Sequence, residues 1–169
     1  ITPAANTTIQ VKIADILTNV ALYNNFTTIS TLTSNVAFLL NGNDNARGTD
    51  GNDYINMGDG IDSVNGAAGN DTLVGGAGSD TFVYLMGAGS INQGADHLID
   101  FNNATGQDII RINGAASQND MLVNMDFTGA SGHLVMTLSN GTVVNFDNIV
   151  SSIPTAFTLS NNGSTFRAD

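Results

Sequence analysis

Asp44, Asp53, Asp62, Asp71 and Asp80 recur every nine residues without a gap. Gly42, Gly51, Gly60, Gly69 and Gly78 stand two residues before them, and Ala46, Ile55, Val64, Leu73 and Phe82 two residues after. Three residue classes held in one register over five copies make an internal repeat. The chemistry on offer is oxygen donation. Asp supplies carboxylate, and Gly-rich turns expose backbone carbonyls beside it. Calcium is a hard cation that takes roughly six to eight such oxygens. All fifteen acidic residues are Asp, and the chain has no Glu and no Cys. A standard EF-hand, which closes its loop with a bidentate Glu, is therefore excluded. So are the HExxH zinc motif and any thiolate site.

The spacing dictates the elements that must position these groups. Six residues with Gly and Asp make a tight turn, because Gly tolerates positive φ. Three residues around the apolar position make a short strand. Turn plus strand is half a coil, so eighteen residues complete one. Successive strands then alternate between two parallel sheets, with Ala46, Val64 and Phe82 in one and Ile55 and Leu73 in the other. Such a core is thin. Five apolar side chains at roughly 1.5–3 kcal/mol each, less for Ala46, do not offset ordering about forty residues at roughly 1–2 kcal/mol each. Stacked turns also set Asp beside Asp. Divalent cations in the turns resolve both problems. The same composition suits a disordered Gly/Asn/Asp-rich linker, but the regular apolar positions argue against one.

The copies GAAGNDTLV, from Gly66, and GGAGSDTFV, from Gly75, resemble the RTX nonapeptide GGxGxDxUx, where U is a large apolar residue. The first copy departs from it, with Leu39 and Leu40 in place of two glycines, and the third has Met57 in its first position. The resemblance implies an all-β fold: a parallel β-roll, two short-stranded parallel sheets with calcium in the turns, capped by a C-terminal antiparallel β-sandwich-like block. It also implies that ions lie between turns eighteen residues apart. Carried over residue by residue, Gly42, Asp44, Asp59 (through its carbonyl) and Asp62 serve a first site, with the carbonyls of Leu40 and Met57. Thr49, Gly51, Asp53, Gly66, Ala68 and Asp71 serve a second. Gly58, Gly60, Asp62, Gly75, Ala77 and Asp80 serve a third. After Phe82 the period loosens into two echoes, Gly94-Asp96-Leu98 and Gly106-Asp108-Ile110. The stretch from Gly94 is similar to the segment that closes RTX rolls. Asp96, Asp100 and Asp108 are thus candidates for a last site, opposite Gly76, Gly78 and Asp80, or else they start turns. About three to five calcium ions are expected.

Three regions follow: 1–38, a cap or the end of a preceding domain; 39–85, the roll; 86–169, a C-terminal β cap with a secretion-signal region. In the first, Ile9, Val11 and Ile13 alternate like a strand, whereas Ile13, Ile16, Leu17 and Val20 fit a helix. In the last, Met121, Val123, Met125 and Phe127 alternate as antiparallel β. His133–Ser139 and Thr142–Asn148 flank Asn140-Gly141, a two-residue hairpin signal that would pair Val135 with Phe146 and Leu138 with Val143 and leave apolar residues on both faces. Asn161-Asn162-Gly163 marks a second hairpin.

A net charge of −11 with four Lys and Arg argues against nucleic acid and anionic membrane surfaces as partners. No apolar run reaches membrane-spanning length. Catalytic signals are weak. Gly129-Ala-Ser131-Gly-His133 approaches a nucleophile elbow but has His where the motif needs Gly. His133 reads as a strand residue and His97 as a surface residue of the closing turn. The expected role is non-catalytic: a calcium-dependent folding module of a secreted bacterial protein. The resemblance implies partnership with a type I secretion apparatus. Two alternatives stand beside it. One is a cell-surface adhesin, S-layer or polysaccharide-binding module, with self-association as a further partner. The other is the end of a secreted protease, lipase or epimerase whose catalytic domain precedes Ile1.

Overall fold

The computed structural model describes residues 9–13, 17–23, 28–29, 36–39, 41–86, 91–102, 108–114, 122–128, 133–149, 157–161 and 164–168. Every described element is a strand. In chain order these are β1 Ile9–Ile13, β2 Leu17–Tyr23, β3 Thr28–Ile29, β4 Val36–Leu39, β5 Asn45–Arg47, β6 Tyr54–Asn56, β7 Asp59–Gly60, β8 Ser63–Asn65 and β9 Thr72–Val74. They continue with β10 Ala77–Gly78, β11 Thr81–Leu85, β12 Ala95–Leu98, β13 Ile109–Asn113, β14 Leu122–Thr128, β15 His133–Leu138, β16 Val143–Phe146, β17 Phe157–Asn161 and β18 Ser164–Ala168.

The repeat builds two facing parallel sheets. Sheet one carries β2, β4, β6, β9, β12 and β16 in parallel order. Sheet two carries β3, β5, β8, β11, β13 and β17. The nine-residue step alternates strands between them, as the spacing requires. Ala46 pairs with Val64 and Val64 with Phe82 in sheet two. Ile55 pairs with Leu73 in sheet one. All five are buried, and they meet in one core. The two echoes hold the same place. Leu98 pairs with Leu73, Ile110 with Phe82, and both are fully buried. Leu39 and Met57, which break the glycine pattern, point into this core and enlarge it.

At the amino-terminal end the choice between helix and strand resolves to strand. β1 and β2 form an antiparallel hairpin, and β2 joins sheet one. At the other end, antiparallel strands prolong the roll's own sheets. β14, β15 and β16 continue sheet one, and β17 and β18 continue sheet two. The register of the β15–β16 hairpin differs by one residue from the expected pairing. Leu134 faces Phe146, and Val135 faces Asn145. The Gly141 amide bonds the Leu138 carbonyl, and Gly141 has φ of 88°. The connection is thus a three-residue turn with Gly in the left-handed position, where a two-residue Asn-Gly turn was expected. Because side chains alternate, the slip gathers Leu134, Met136, Leu138, Val144 and Phe146 on the single inward face.

Candidate metal centre

The turns lie along two flanks of the roll. On the first flank, turns leave sheet one for sheet two: 41–44, 57–62, 75–80, and the described residues 99–102 and 108. On the second they return: 48–53, 66–71 and 91–94. Every repeat aspartate is buried, with side-chain-bearing residues Asp44, Asp53, Asp62, Asp71 and Asp80 at 4% exposure or less. What fixes them is a backbone ladder. Each Asp amide donates to a carboxylate oxygen of the next turn on its flank: Asp44 to Asp62 (2.7 Å), Asp62 to Asp80 (3.0 Å) and Asp80 to Asp108 (2.8 Å) on the first. On the second, Asp53 donates to Asp71 (2.9 Å) and Asp71 to Asp96 (3.0 Å). One carboxylate oxygen each of Asp62, Asp71, Asp80, Asp96 and Asp108 is thereby committed.

The other oxygen is the informative one. Oδ2 of Asp62, Asp71 and Asp80 is buried and has no hydrogen-bond partner. A native fold does not leave a row of buried acceptors without a proton, donor or cation. Burial, the largest cause, pushes Asp62 up to about 6, Asp71 to about 8 and Asp80 to about 7, and neighbouring carboxylates add to each. The ladder amides pull the other way. Burial likewise raises Asp53 and Asp108.

Glycine is what lets the turns stack this closely. A Cβ on Gly60 would lie 1.9 Å from the Gly42 carbonyl oxygen, one on Gly76 1.9 Å from that of Gly58, and one on Gly78 1.6 Å from that of Gly60. Carbonyls therefore line the space between successive turns. Two of them also accept amides: Asp59 O from Gly42 (2.8 Å) and Gly58 O from Ala77 (3.0 Å). A carbonyl has a second lone pair, so both remain donors for a cation. Among the described residues no three acidic or imidazole side chains gather into one cage. The oxygen set is two carboxylates with carbonyls, which suits calcium's many-oxygen, flexible coordination.

The sequence-derived sets fall as follows. Gly42 and Asp44 face Met57, Asp59 and Asp62 on the first flank; Leu40 lies outside the described residues. Gly58, Gly60 and Asp62 face Gly75, Ala77 and Asp80 on the same flank, where β7 and β10 pair as a short ladder. Thr49, Gly51 and Asp53 face Gly66, Ala68 and Asp71 on the second. Here Asp53 Oδ2 is already bonded by the Thr49 amide at 2.7 Å. The last set divides. Asp108 joins Asp80, and Asp100 accepts the Gly75 and Gly76 amides at 2.9 and 2.8 Å, closing the first flank with Gly78. Asp96 instead lies on the second flank over Asp71. Burial raises Asp96 to about 7, against the Asp71 amide and the facing Tyr84 hydroxyl.

Two features escaped the sequence reading. Asn43, Asn52 and Asn70 form a second ladder just outside the aspartates, accepting the amides of Ile61, Asn70 and Ala95 at 2.9 Å each. The Asn-Asp pairs at Asn43, Asn52 and Asn70 were its visible signal. The second feature is a clip on the outer face of sheet one. His97, a strand residue rather than part of a turn, places Nδ1 2.9 and 3.0 Å from the Asp147 carboxylate, and His133 Nδ1 is 3.9 Å from it. Of the elbow-like segment only His133 is described, and it opens β15.

A two-sheet parallel roll with aspartates stacked in its turns defines the class: an RTX β-roll. Residues 23–157 match the family model described as Peptidase M10 serralysin C terminal, and the chain belongs to that family. It is a calcium-binding β-roll of the kind found as the non-catalytic C-terminal part of secreted enzymes. No curated protein matches the chain. Among solved structures, it is similar to the AlgE6R3 subunit of the Azotobacter vinelandii mannuronan C5-epimerase, at 22% identity over 60% of this chain and 70% of that one, with a TM-score of 0.24.

Proposed function

We propose that the chain is a non-catalytic folding module that orders when calcium enters its turns, and that it serves export of its parent protein by a type I apparatus into calcium-rich surroundings. The buried, partnerless Oδ2 atoms of Asp62, Asp71 and Asp80 carry this reading. Bound calcium would supply positive charge to these oxygens and to the carbonyls around them. Residues 39–85 form the ion-dependent part in this reading, between the amino-terminal strands and a carboxy-terminal cap from 86 onward. Extracellular modules bind calcium at roughly 10⁻⁴–10⁻³ M. The cytosol holds far less, so the roll stays unfolded there and folds outside, where binding energy becomes folding energy. Circular dichroism in EGTA and then in millimolar calcium tests it. At pH 8, a fully folded, unchanged spectrum in both would refute it.

A second reading, a surface glycan-binding module, is favoured by one observation. A groove of about 320 Å³ opens on the outer face of sheet two between Arg47, Asn65, Val83, Leu85, Arg111 and Asn113, with no acidic residue in its lining. Arg111 has no acidic partner among the described residues, although the chain carries fifteen Asp. On the opposite sheet, Tyr54 is exposed and its ring lies against Phe38, centroids 5.7 Å apart and tilted by 47°. A glycan array with calcium present, repeated with Arg111→Ala, separates the readings. Binding that the substitution abolishes supports the second, and no binding leaves only the first.

A further inference from the structure

The two flanks do not end alike. On the first, the closing turn brings two carboxylates, Asp100 and Asp108, to the last repeat turn. On the second, the position between turns 66–71 and 91–96 has the Asp71–Asp96 pair but also Gln93. Gln93 is 4% exposed. Its Nε2 donates to the Ala67 carbonyl at 3.1 Å, and its Oε1 is turned away to accept the Leu85 amide at 2.7 Å. Its own backbone amide donates to the buried Thr142 hydroxyl at 2.9 Å.

The first flank shows the contrast. There the Gly58 carbonyl, which corresponds to Ala67 in the repeat, receives only the backbone amide of Ala77. At Ala67 the N–H comes instead from a side chain, Gln93 Nε2. That carbonyl would be a calcium ligand. It keeps a second lone pair, as the Gly58 carbonyl does, but here the group beside it is the end of a buried side chain, which sets an N–H donor where the facing turn would otherwise offer an acceptor oxygen. Ala67 itself holds a φ of 79°, the non-glycine exception among the described residues, so the turn keeps its shape without Gly.

We infer that Gln93 takes the place of an ion. The second flank then ends one position early, and its last turn is tied by an amide to Leu85, Ala67 and the Thr142 turn. The inference rests on the calcium reading above. The described turns then hold four ions, three on the first flank and one on the second.

Native mass spectrometry of the full chain in rising calcium chloride tests it, with calorimetric stoichiometry alongside. Four ions are expected in the unaltered chain. Four are also expected in Asp96→Asn, because Asp96 holds none, whereas Asp108→Asn falls to three. Gln93→Glu keeps the shape and the Leu85 contact but turns the donor into an acceptor, and it is expected to gain a fifth ion. Five ions in the unaltered chain, three in Asp96→Asn, or four in Gln93→Glu each overturn the assignment to Gln93 while leaving the calcium reading intact. No bound ion at all overturns both.

Discussion

Calcium removal at two pH values probes the buried aspartates directly. In the calcium-free fold Asp62, Asp71, Asp80 and Asp96 are raised from the ordinary 3.8 to about 6, 8, 7 and 7. A carboxyl raised in the folded state binds more protons there than in the unfolded chain. Calcium-free stability is therefore full below about pH 4 and falls as pH rises through the raised values. Between pH 5 and pH 8, at about 1.36 kcal/mol per pKa unit, the four together lose on the order of 10 kcal/mol. The whole stability of a domain is roughly 5–15 kcal/mol. In EGTA the chain is thus expected to be folded at pH 5 and unfolded at pH 8. With millimolar calcium the trend reverses, since the ions need deprotonated carboxylates. Thermal melts followed by circular dichroism at pH 5, 6, 7 and 8, with and without calcium, read this out. A calcium-free melting temperature that stays level or climbs with pH would refute the role given to these carboxyls.

Four substitutions, one of them a control, test the packing of the turns and the clip. Gly78→Ala should destabilise the calcium-loaded chain by more than about 3 kcal/mol, because its Cβ would fall 1.6 Å from the Gly60 carbonyl oxygen. Gly51→Ala, whose Cβ meets nothing closer than 3.7 Å, is the control and should stay within about 0.5 kcal/mol in denaturant titration. Ala67→Gly relieves the left-handed backbone and should add about 0.5–1 kcal/mol, some 2 °C in a melt. Asp147→Asn removes the half-exposed His97 partner and should cost less than about 1 kcal/mol.

The part of this site that was legible in the sequence is the part with strict period. Asp44 to Asp80 could be placed because eighteen residues always return the chain to the same flank. Asp96 and Asp108 follow their ladder partners by 25 and 28 residues. Those separations exceed the eighteen-residue coil by 7 and 10 residues, which erases the flank from the spacing, so the sequence grouped Asp96 with Asp100 and Asp108 although it belongs to the other side. Leu98 and Ile110 were the better guides, since burial pins a strand's register more firmly than a turn does. Gln93 meets Thr142 across 49 residues, and His97 meets Asp147 across 50. Neither contact has a local signature. The hairpin slip had a clue, Gly141, but Asn-Gly is compatible with both turn lengths, and only packing of Leu134 and Phe146 decides between them.

The core and the ions divide the work unevenly along the roll. Around turns 41–66 the core is Ala37, Leu39, Ala46, Ile55, Met57 and Val64. Toward the carboxy-terminal end it holds Phe82, Tyr84, Phe101 and Phe146, with ring centroids 5.8 Å apart for Phe82–Phe101 and 5.0 Å for Phe101–Phe146. Large aromatic side chains bury far more area than Ala or Val and add about 0.5–1.5 kcal/mol per ring pair. The ordering cost per residue is similar throughout, roughly 1–2 kcal/mol. The early coils therefore lean on calcium more heavily than the late ones. As calcium is lowered stepwise, amide hydrogen exchange should lose protection first at residues 45–65 and last at 95–98, 109–113 and 133–146. Simultaneous loss along the whole chain would mean that the ions, not the graded core, set the stability of every coil alike.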